Sequence, residues 1–142
     1  GRLFCTFIKT IKSLHKCILL DTFAAINIHL MRKLILSNQF YEYYSSLQPQ
    51  VQEKFDYVMQ ILINQTVIST KFVKRIQNTN LYEMRVSVGY NEYRTLLFAI
   101  DHDNIMSSKE IILLNAFLKK SNKDYKQQLQ IAQTILNDTS HE

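Results

Sequence analysis

The spacing of apolar residues changes once along this 142-residue chain, and that change limits the possible fold more than any other feature. Between residues 51 and 63 apolar residues recur at helical spacing, as shown by Val51, Phe55, Val58, Met59, Leu62 and Ile63. From residue 82 onward, apolar and polar residues alternate, which is typical of strands with one buried face. The sequence therefore predicts an α+β chain in which helices come first and strands follow.

Turns and capping residues divide the chain into seven predicted elements. A strand over residues 32–37 is followed by one helix near 40–47 and by a second that begins at Pro49, where a first-turn proline is tolerated. Strands over 82–88 and 93–100 flank a turn at Gly89–Glu92, and a strand over 110–117 precedes a last helix after Ser121. The run Ile111–Leu114 predicts burial on both faces, as in a central strand. The predicted order is β-α-α-β-β-β-α.

Residues 1–30 differ from the rest of the chain. They contain no methionine, whereas Met31 directly precedes the first predicted strand, and their apolar residues permit a helix. Asp21 and Asn27 interrupt the apolar part, which argues against a signal peptide. We expect residues 1–30 to be an upstream or artificially added extension and residues 31–142 to be the functional domain. A chain beginning at Met31 should then fold and keep its activity.

Composition excludes several classes of protein. Hydrophobic residues make up 46% of the chain, which favours a packed core over disorder. No apolar run approaches the roughly 18 residues that span a bilayer, so no membrane association is expected. Cys5 and Cys17 have no zinc-ligand spacing and form no disulfide framework, which favours a reducing, cytoplasmic location.

Common ligand-binding motifs are absent from the sequence. The chain has 2 glycines, too few for a glycine-rich phosphate loop, and it has no HExxH motif. The segment Asp101–Asn104 contains ligand-type side chains, but consecutive positions in a hairpin loop rarely converge on one ion, so a polar turn is the preferred interpretation. Neither a metal nor a cofactor is predicted.

Basic residues cluster in the second half of the chain. Residues 71–126 hold ten basic side chains and six acidic ones. Candidate phosphate-binding residues on or beside the predicted sheet are Lys71, Lys74, Arg75, Arg85, Arg94, Lys119 and Lys120. Cations that converge on one face can bind consecutive phosphates and stabilise a developing charge, although a solvated basic face would have the same composition. Arg94 is expected to be partly exposed, and Lys54 to lie on the outer face of the second helix, where its replacement by alanine should not affect activity.

Three blocks of sequence carry a family pattern, namely Leu81–Arg85 (LYEMR), Tyr93–Arg94 (YR) and Leu113–Ser121 (LLNAFLKKS). Together they resemble the phage Gp49-like branch of the RelE/ParE toxin superfamily, which includes the HigB toxins, and the likeness extends over residues 31–138. The resemblance implies a small, twisted, mostly antiparallel RelE-like sheet with two N-terminal helices and one C-terminal helix. It also implies a metal-independent endoribonuclease that cuts mRNA in the ribosome and leaves a 2′,3′-cyclic phosphate.

The resemblance also implies roles for particular residues. Arg85 and Arg94 match the family's strand arginines, Lys119 and Lys120 match its basic pair, and Tyr125 lies near a tyrosine of some relatives. These five are the candidate catalytic residues. The candidate RNA-binding residues are Lys71, Lys74, Arg75 and Lys123. Two positions depart from related patterns: Glu83 replaces a lysine of the best-known RelE proteins, and Asn115 replaces a histidine that is usual in the branch.

The resemblance implies partners and leaves two alternatives open. The expected partners are a HigA-like antitoxin, the ribosome and mRNA, with an acidic antitoxin helix covering the basic face. One alternative is a ParE-like toxin that inhibits DNA gyrase. The other is a catalytically inactive protein that binds RNA or the antitoxin.

Overall fold

The computed structural model describes residues 31–140, which form three helices and five strands. In chain order these are β1 (Lys33–Leu36), α1 (Asn38–Ser46), α2 (Pro49–Asn64), β2 (Val73–Arg75), β3 (Tyr82–Val88), β4 (Asn91–Ala99), β5 (Glu110–Leu118) and α3 (Asn122–Ser140). The predicted α+β class is confirmed, and the predicted order lacked one strand, β2. The prediction that residues 1–30 form an extension lies outside the described residues.

The five strands form one mixed sheet in the order β1-β5-β4-β3-β2. β1 pairs with β5 in parallel, and the other neighbours are antiparallel. As predicted, β5 is an inner strand and its apolar run is buried on both faces. Ile111 and Leu113 join the core beneath α1 and α2, whereas Ile112 and Leu114 join the core beneath α3. The sheet is thus covered by helices on both sides.

Serine side chains define the starts of two helices. Ser37 accepts a hydrogen bond from the backbone N–H of Phe40 at 3.0 Å, so it satisfies one of the free donors of the first turn of α1. Ser121 accepts from the N–H of Asp124 at 3.2 Å, which confirms the predicted capping serine of α3. Because α3 begins only four residues after β5 ends, it must turn back across the sheet directly.

A two-residue turn sets the register between β3 and β4. Val88 pairs with Asn91, so the turn consists of Gly89 and Tyr90 and is shorter than predicted. Gly89 has a φ of +61°, which glycine adopts without the strain that a side chain would introduce. Counting back from this turn places Arg85 directly opposite Arg94. The turn therefore determines that the two strand arginines are neighbours.

Arg32 joins three parts of the chain at the other end of the sheet. Its side chain is buried, and its hydrogen-bond acceptors among residues 31–140 are backbone carbonyl oxygens. The acceptors are Leu62 at 3.0 Å, Thr66 and Met106 at 2.9 Å, Ile105 at 3.2 Å, and Gln65. Leu62 and Gln65 lie at the C-terminal end of α2, where free carbonyls and the helix dipole favour a cation. Burial lowers the pKa of this guanidinium.

Within residues 31–140, no helix combines the length and the apolar character needed to cross a bilayer.

Candidate catalytic site

A row of alternating charges crosses the α3 side of the sheet near the β3–β4 turn. Strand alternation directs Glu83, Arg85 and Arg94 to this face, because their neighbours Tyr82, Met84 and Tyr93 belong to the core beneath α1 and α2. The row consists of Arg85, Glu83, Arg94, Glu92 and Lys119, and we call it the charge row. Two arginines that face each other on adjacent strands would repel, so the carboxylates between them are needed for this register.

Glu83 is the centre of the charge row. Its Oε2 atom lies 2.7 Å from Nε of Arg85 and 3.1 Å from Nε of Arg94. Its Oε1 atom accepts a hydrogen bond from the hydroxyl of Tyr125, in the first turns of α3. A single carboxylate therefore connects both strand arginines to the covering helix. Glu83 was not among the site residues predicted from the sequence, although its position two residues before Arg85 places both on one face.

Arg94 is more enclosed than expected. Its side chain is 7% exposed, whereas that of Arg85 is 32% exposed. Besides Glu83, its Nη1 atom contacts Glu92 at 3.3 Å and donates to the carbonyl of Tyr93 at 3.1 Å. The expectation of a partly exposed Arg94 was wrong, because Phe117 pairs with it on β5 and Tyr125 packs edge-on against Phe117. Arg85 is the more accessible guanidinium of the pair.

The surroundings of Glu83 and Tyr125 determine the protonation states of these two side chains at neutral pH. Burial alone would raise the pKa of the Glu83 carboxyl, but hydrogen bonds from Tyr125 and Arg85 and the charges of both arginines lower it overall. Burial, followed by the hydrogen bond to Glu83, raises the pKa of the Tyr125 hydroxyl. Glu83 is therefore a carboxylate and Tyr125 a neutral phenol that can donate a proton or a hydrogen bond.

Lys119 completes the row from the end of β5. Its backbone N–H donates to the carbonyl of Glu92 at 2.8 Å, which holds the start of the β5–α3 connection against β4. The pKa of the Glu92 carboxyl is lowered, first by a hydrogen bond from Ser87 and then by Arg94 and the charge of Lys119. Lys120 and Lys123 follow as exposed residues of the connection and the first turn of α3. These lysines make the rim of the row basic.

The remaining candidate residues lie on or near β2. Lys74 pairs with Glu83 in the β2–β3 register and lies on the same face as the charge row. Arg75 lies on the opposite face, where its guanidinium is 5.6 Å from the ring centre of Tyr82. Lys71 precedes β2 and lies over Phe72, with Nζ 5.5 Å from the ring centre. The structure thus brings Lys74 to the row and places Lys71 and Arg75 elsewhere.

Asn115 is buried beneath α3, at a β-bulge between β4 and β5. Its amide nitrogen donates to the side chain of Gln128 at 2.8 Å and to the carbonyl of the same residue at 3.2 Å. Its amide oxygen is buried without a hydrogen-bond partner. In this position the side chain links β5 to α3, and it is not part of the charge row.

The predicted polar turn after β4 is organised by Asp101. Its carboxylate accepts hydrogen bonds from the backbone N–H groups of Lys109 and Glu110 and from the hydroxyl of Ser108. The hydrogen bond from Ser108 is the largest of several effects that lower the pKa of Asp101 to about 2. His102 accepts from the N–H of Asn104 at 3.0 Å. Across residues 31–140, no group of three or more His, Cys, Asp or Glu side chains has a geometry that could hold a metal ion.

A comparison with protein-family profiles places this arrangement in a known context. The profile of the phage-derived Gp49-like proteins matches residues 42–137, more than half of the chain. The chain belongs to the Gp49-like family. This family is part of the RelE/HigB-like toxin group, and the mixed sheet with its three helices is consistent with a RelE-like fold. No curated protein sequence matches the chain.

Family membership supports a toxin-like protein. The matched region contains every member of the charge row together with Tyr125, and α3 supplies the helix that covers it.

Proposed function

We propose that this protein is the toxin of a type II toxin–antitoxin system and that it cuts mRNA on the ribosome without a metal ion. The observation that supports this most directly is the charge row, in which two adjacent arginines share one carboxylate that also holds a neutral tyrosine. Such a set offers cations for a phosphate and both a proton acceptor and a proton donor.

The proposed reaction is an internal displacement at a phosphodiester. The ribose 2′-oxygen attacks the adjacent phosphorus, its proton leaves, and the bond to the 5′-oxygen of the next nucleotide breaks. The products are a 2′,3′-cyclic phosphate and a free 5′-hydroxyl, so protons and bonds balance without a water molecule. The protein's task is to align the nucleophile and to stabilise charge on the phosphate.

Arg85 is the proposed phosphate ligand, because its guanidinium is the exposed one and can exchange Glu83 for a phosphate oxygen. A bidentate contact would suit the planar guanidinium. Lys119, Lys120, Lys74 and Lys123 supply the surrounding positive charge that attracts RNA.

Arg94 is the proposed positioning residue, since it keeps the Glu83 carboxylate in place when Arg85 moves. Glu83 then accepts the proton of the 2′-hydroxyl, and Tyr125 donates one to the departing 5′-oxygen. The raised pKa of Tyr125 keeps this proton on the enzyme until the leaving group develops charge.

An antitoxin is the proposed partner, and it would cover the rim formed by the exposed lysines. Complementary charge chiefly accelerates association and fixes orientation. Binding of the neighbouring gene's product should weaken as salt increases and when Lys119 and Lys120 are changed to glutamate. Complex formation that is indifferent to both treatments would contradict this part of the proposal.

Primer extension on cellular mRNA after induction of the protein tests the proposal. We expect cuts at codons in the ribosomal A site, and the isolated 3′ ends should carry a cyclic phosphate. Purified protein with ribosomes and message should produce the same cuts, and a chelator selective for transition metals, which leaves the Mg²⁺ of the ribosome in place, should not change their rate. Supercoiling defects without cuts would support the gyrase-inhibiting alternative, and toxicity or RNA binding with neither effect would support the inactive one.

A further inference from the structure

A second basic surface lies next to the charge row, in a groove between α2 and the edge of β3. The groove has a volume of about 270 Å³. Six of the residues that line it are Lys54, Tyr57, Lys71, Phe72, Arg85 and Ser87. Arg85 therefore belongs both to the groove and to the charge row. Lys54 is exposed on α2, as expected, and it lines the groove.

The groove exists because β2 is short. β2 pairs with Tyr82–Met84 only, so the remaining part of β3 has no partner strand on this side within residues 31–140. The chain before β2 turns away at Phe72, whose carbonyl accepts the N–H of Arg85 at 2.7 Å. This hydrogen bond fixes Phe72 beside Arg85, on the side of the groove that faces α2.

Two aromatic rings, together with Val58 and Val86, form the apolar part of the groove. Tyr57 of α2 is 60% exposed, although large aromatic side chains usually bury most of their surface. Its ring lies 6.2 Å from that of Phe72 at an angle of 72°. The edge of one ring thus meets the face of the other, and part of the Tyr57 ring remains open to solvent.

The polar part of the groove is cationic. Lys54, Lys71 and Arg85 contribute positive charges, of which that of Arg85 is shared with the Glu83 carboxylate, and within the described part of the chain no carboxylate lines the groove. Exposed aromatic rings beside cations are what single-stranded nucleic acids require, since bases stack on the rings and phosphates bind the cations. An acidic peptide would use the cations but would gain little from an open aromatic face.

We propose that the groove binds one nucleotide of single-stranded RNA next to the nucleotide held at the charge row. The base stacks on Tyr57, and the phosphates contact Lys54, Lys71 and Arg85. This inference rests on the proposed function, because it identifies part of the RNA path that leads to the same site. Arg85, shared by the groove and the row, connects the two phosphate positions.

Binding of a labelled 2′-O-methyl oligoribonucleotide of about eight nucleotides to the full chain tests the inference. The methyl group blocks the 2′-oxygen, so the measured Kd does not depend on cleavage. Tyr57→Ala should weaken binding about 5-fold or more, the range expected for loss of one stacked base. Tyr57→Phe should bind within about twofold of the parent and Tyr57→Leu should resemble the alanine variant, because only phenylalanine retains the aromatic face.

Charge variants distinguish RNA binding in the groove from general electrostatic attraction of RNA to the protein. Lys54→Ala should reduce the slope of log Kd against log salt by about 1. Lys109→Ala is the matched control, because this exposed lysine precedes β5 at the end of the sheet opposite Lys119, and it should leave both Kd and slope unchanged.

Two results would overturn the inference. One is equal affinity of the Tyr57→Ala and Tyr57→Phe variants for the oligonucleotide. The other is failure of the parent chain to bind the oligonucleotide while it binds a polyglutamate peptide through Lys54, which would make the groove a protein-docking surface. Failure of the proposed function is a separate result, because it would appear as absence of cleavage of unmodified message on ribosomes.

Discussion

Arg32 and Arg94 are equally buried, each with 6% of its whole-residue surface exposed, yet their surroundings differ completely. Arg32 donates to carbonyl oxygens from the end of α2 and from the β4–β5 loop. Arg94 lies between the carboxylates of Glu83 and Glu92, beside a second arginine that is partly exposed. Burial of an arginine therefore does not by itself indicate a candidate site, and the kind of partner is what distinguishes these two residues.

The hydrogen-bond partners of each arginine determine whether a ligand can replace one of them. Backbone carbonyls are fixed by the fold and keep the Arg32 guanidinium in one position. A side-chain carboxylate is an anion, as a phosphate is, so a phosphate can replace a carboxylate next to a guanidinium. Arg32 thus holds the structure together, whereas the arginines of the charge row are arranged so that a ligand can compete for them. Variants at the two ends of the sheet can test this distinction.

The largest effect on stability is expected at Arg32. Arg32→Ala removes the shared donor of several buried carbonyls and should lower the free energy of unfolding by about 3–5 kcal/mol. Arg32→Lys should recover only part of this, because an ammonium has fewer donors and no planar fork. Urea unfolding gives the stability, and cleavage per folded molecule should match the parent. Loss of cleavage in folded Arg32→Lys protein would contradict the assignment of a purely structural role to Arg32, in contrast to Arg94.

A smaller loss of stability is expected for Glu83→Gln, on the order of 2 kcal/mol at neutral pH, because both arginines lose their shared charge. The pKa of the Glu83 carboxyl is lower in the folded protein than its ordinary value of 4.5. Its contribution is therefore fully present above about pH 4.5 and is lost as the pH falls through the folded value. The stability difference between parent and variant should shrink at acidic pH. A difference that stays constant down to about pH 3 would show that the carboxylate charge is not responsible.

The smallest effect on stability is expected for Tyr125→Phe. The substitution removes the hydrogen bond to Glu83 but keeps the ring that packs on Phe117, so the loss should be about 1 kcal/mol. Cleavage should fall on the order of 100-fold if the hydroxyl donates the proton. Gln127→Ala, on an exposed position of α3, is the matched control and should change neither quantity. Unchanged cleavage by Tyr125→Phe would restrict this tyrosine to a structural role.

Periodicity predicted the elements whose packing is regular. The apolar stripe of α2 followed from its spacing and the two-sided burial of β5 from its continuous apolar run, because each pattern extends over several residues. β2 was missed since Val73–Arg75 is too short to show an alternation, and its pairing depends on where the chain returns after α2. The enclosure of Arg94 was also missed. It arises from Phe117 and Tyr125, which are distant in sequence and meet Arg94 only in the folded protein.

The site was predicted in part for a similar reason. Arg85 and Arg94 were selected separately, and the two-residue turn at Gly89 makes them cross-strand neighbours. Glu83 was noticed only as a departure from a related pattern, although alternation alone places it on the same face as Arg85. Its connection to Tyr125 depends on how α3 crosses the sheet, which the local sequence does not specify.

Arg85 is proposed to contact the scissile phosphate, and single-turnover cleavage of ribosome-bound message tests this role most directly. Arg85→Ala should remain folded, because a partly exposed ion pair contributes little to stability. Its cleavage rate should fall on the order of 100- to 1000-fold, the usual cost of one lost donor to a developing charge. Arg85→Lys should also be impaired, since it keeps the charge without the fork, whereas Lys109→Ala should cut as fast as the parent. Folded Arg85→Ala protein that cuts the message at the parent's rate would contradict the account.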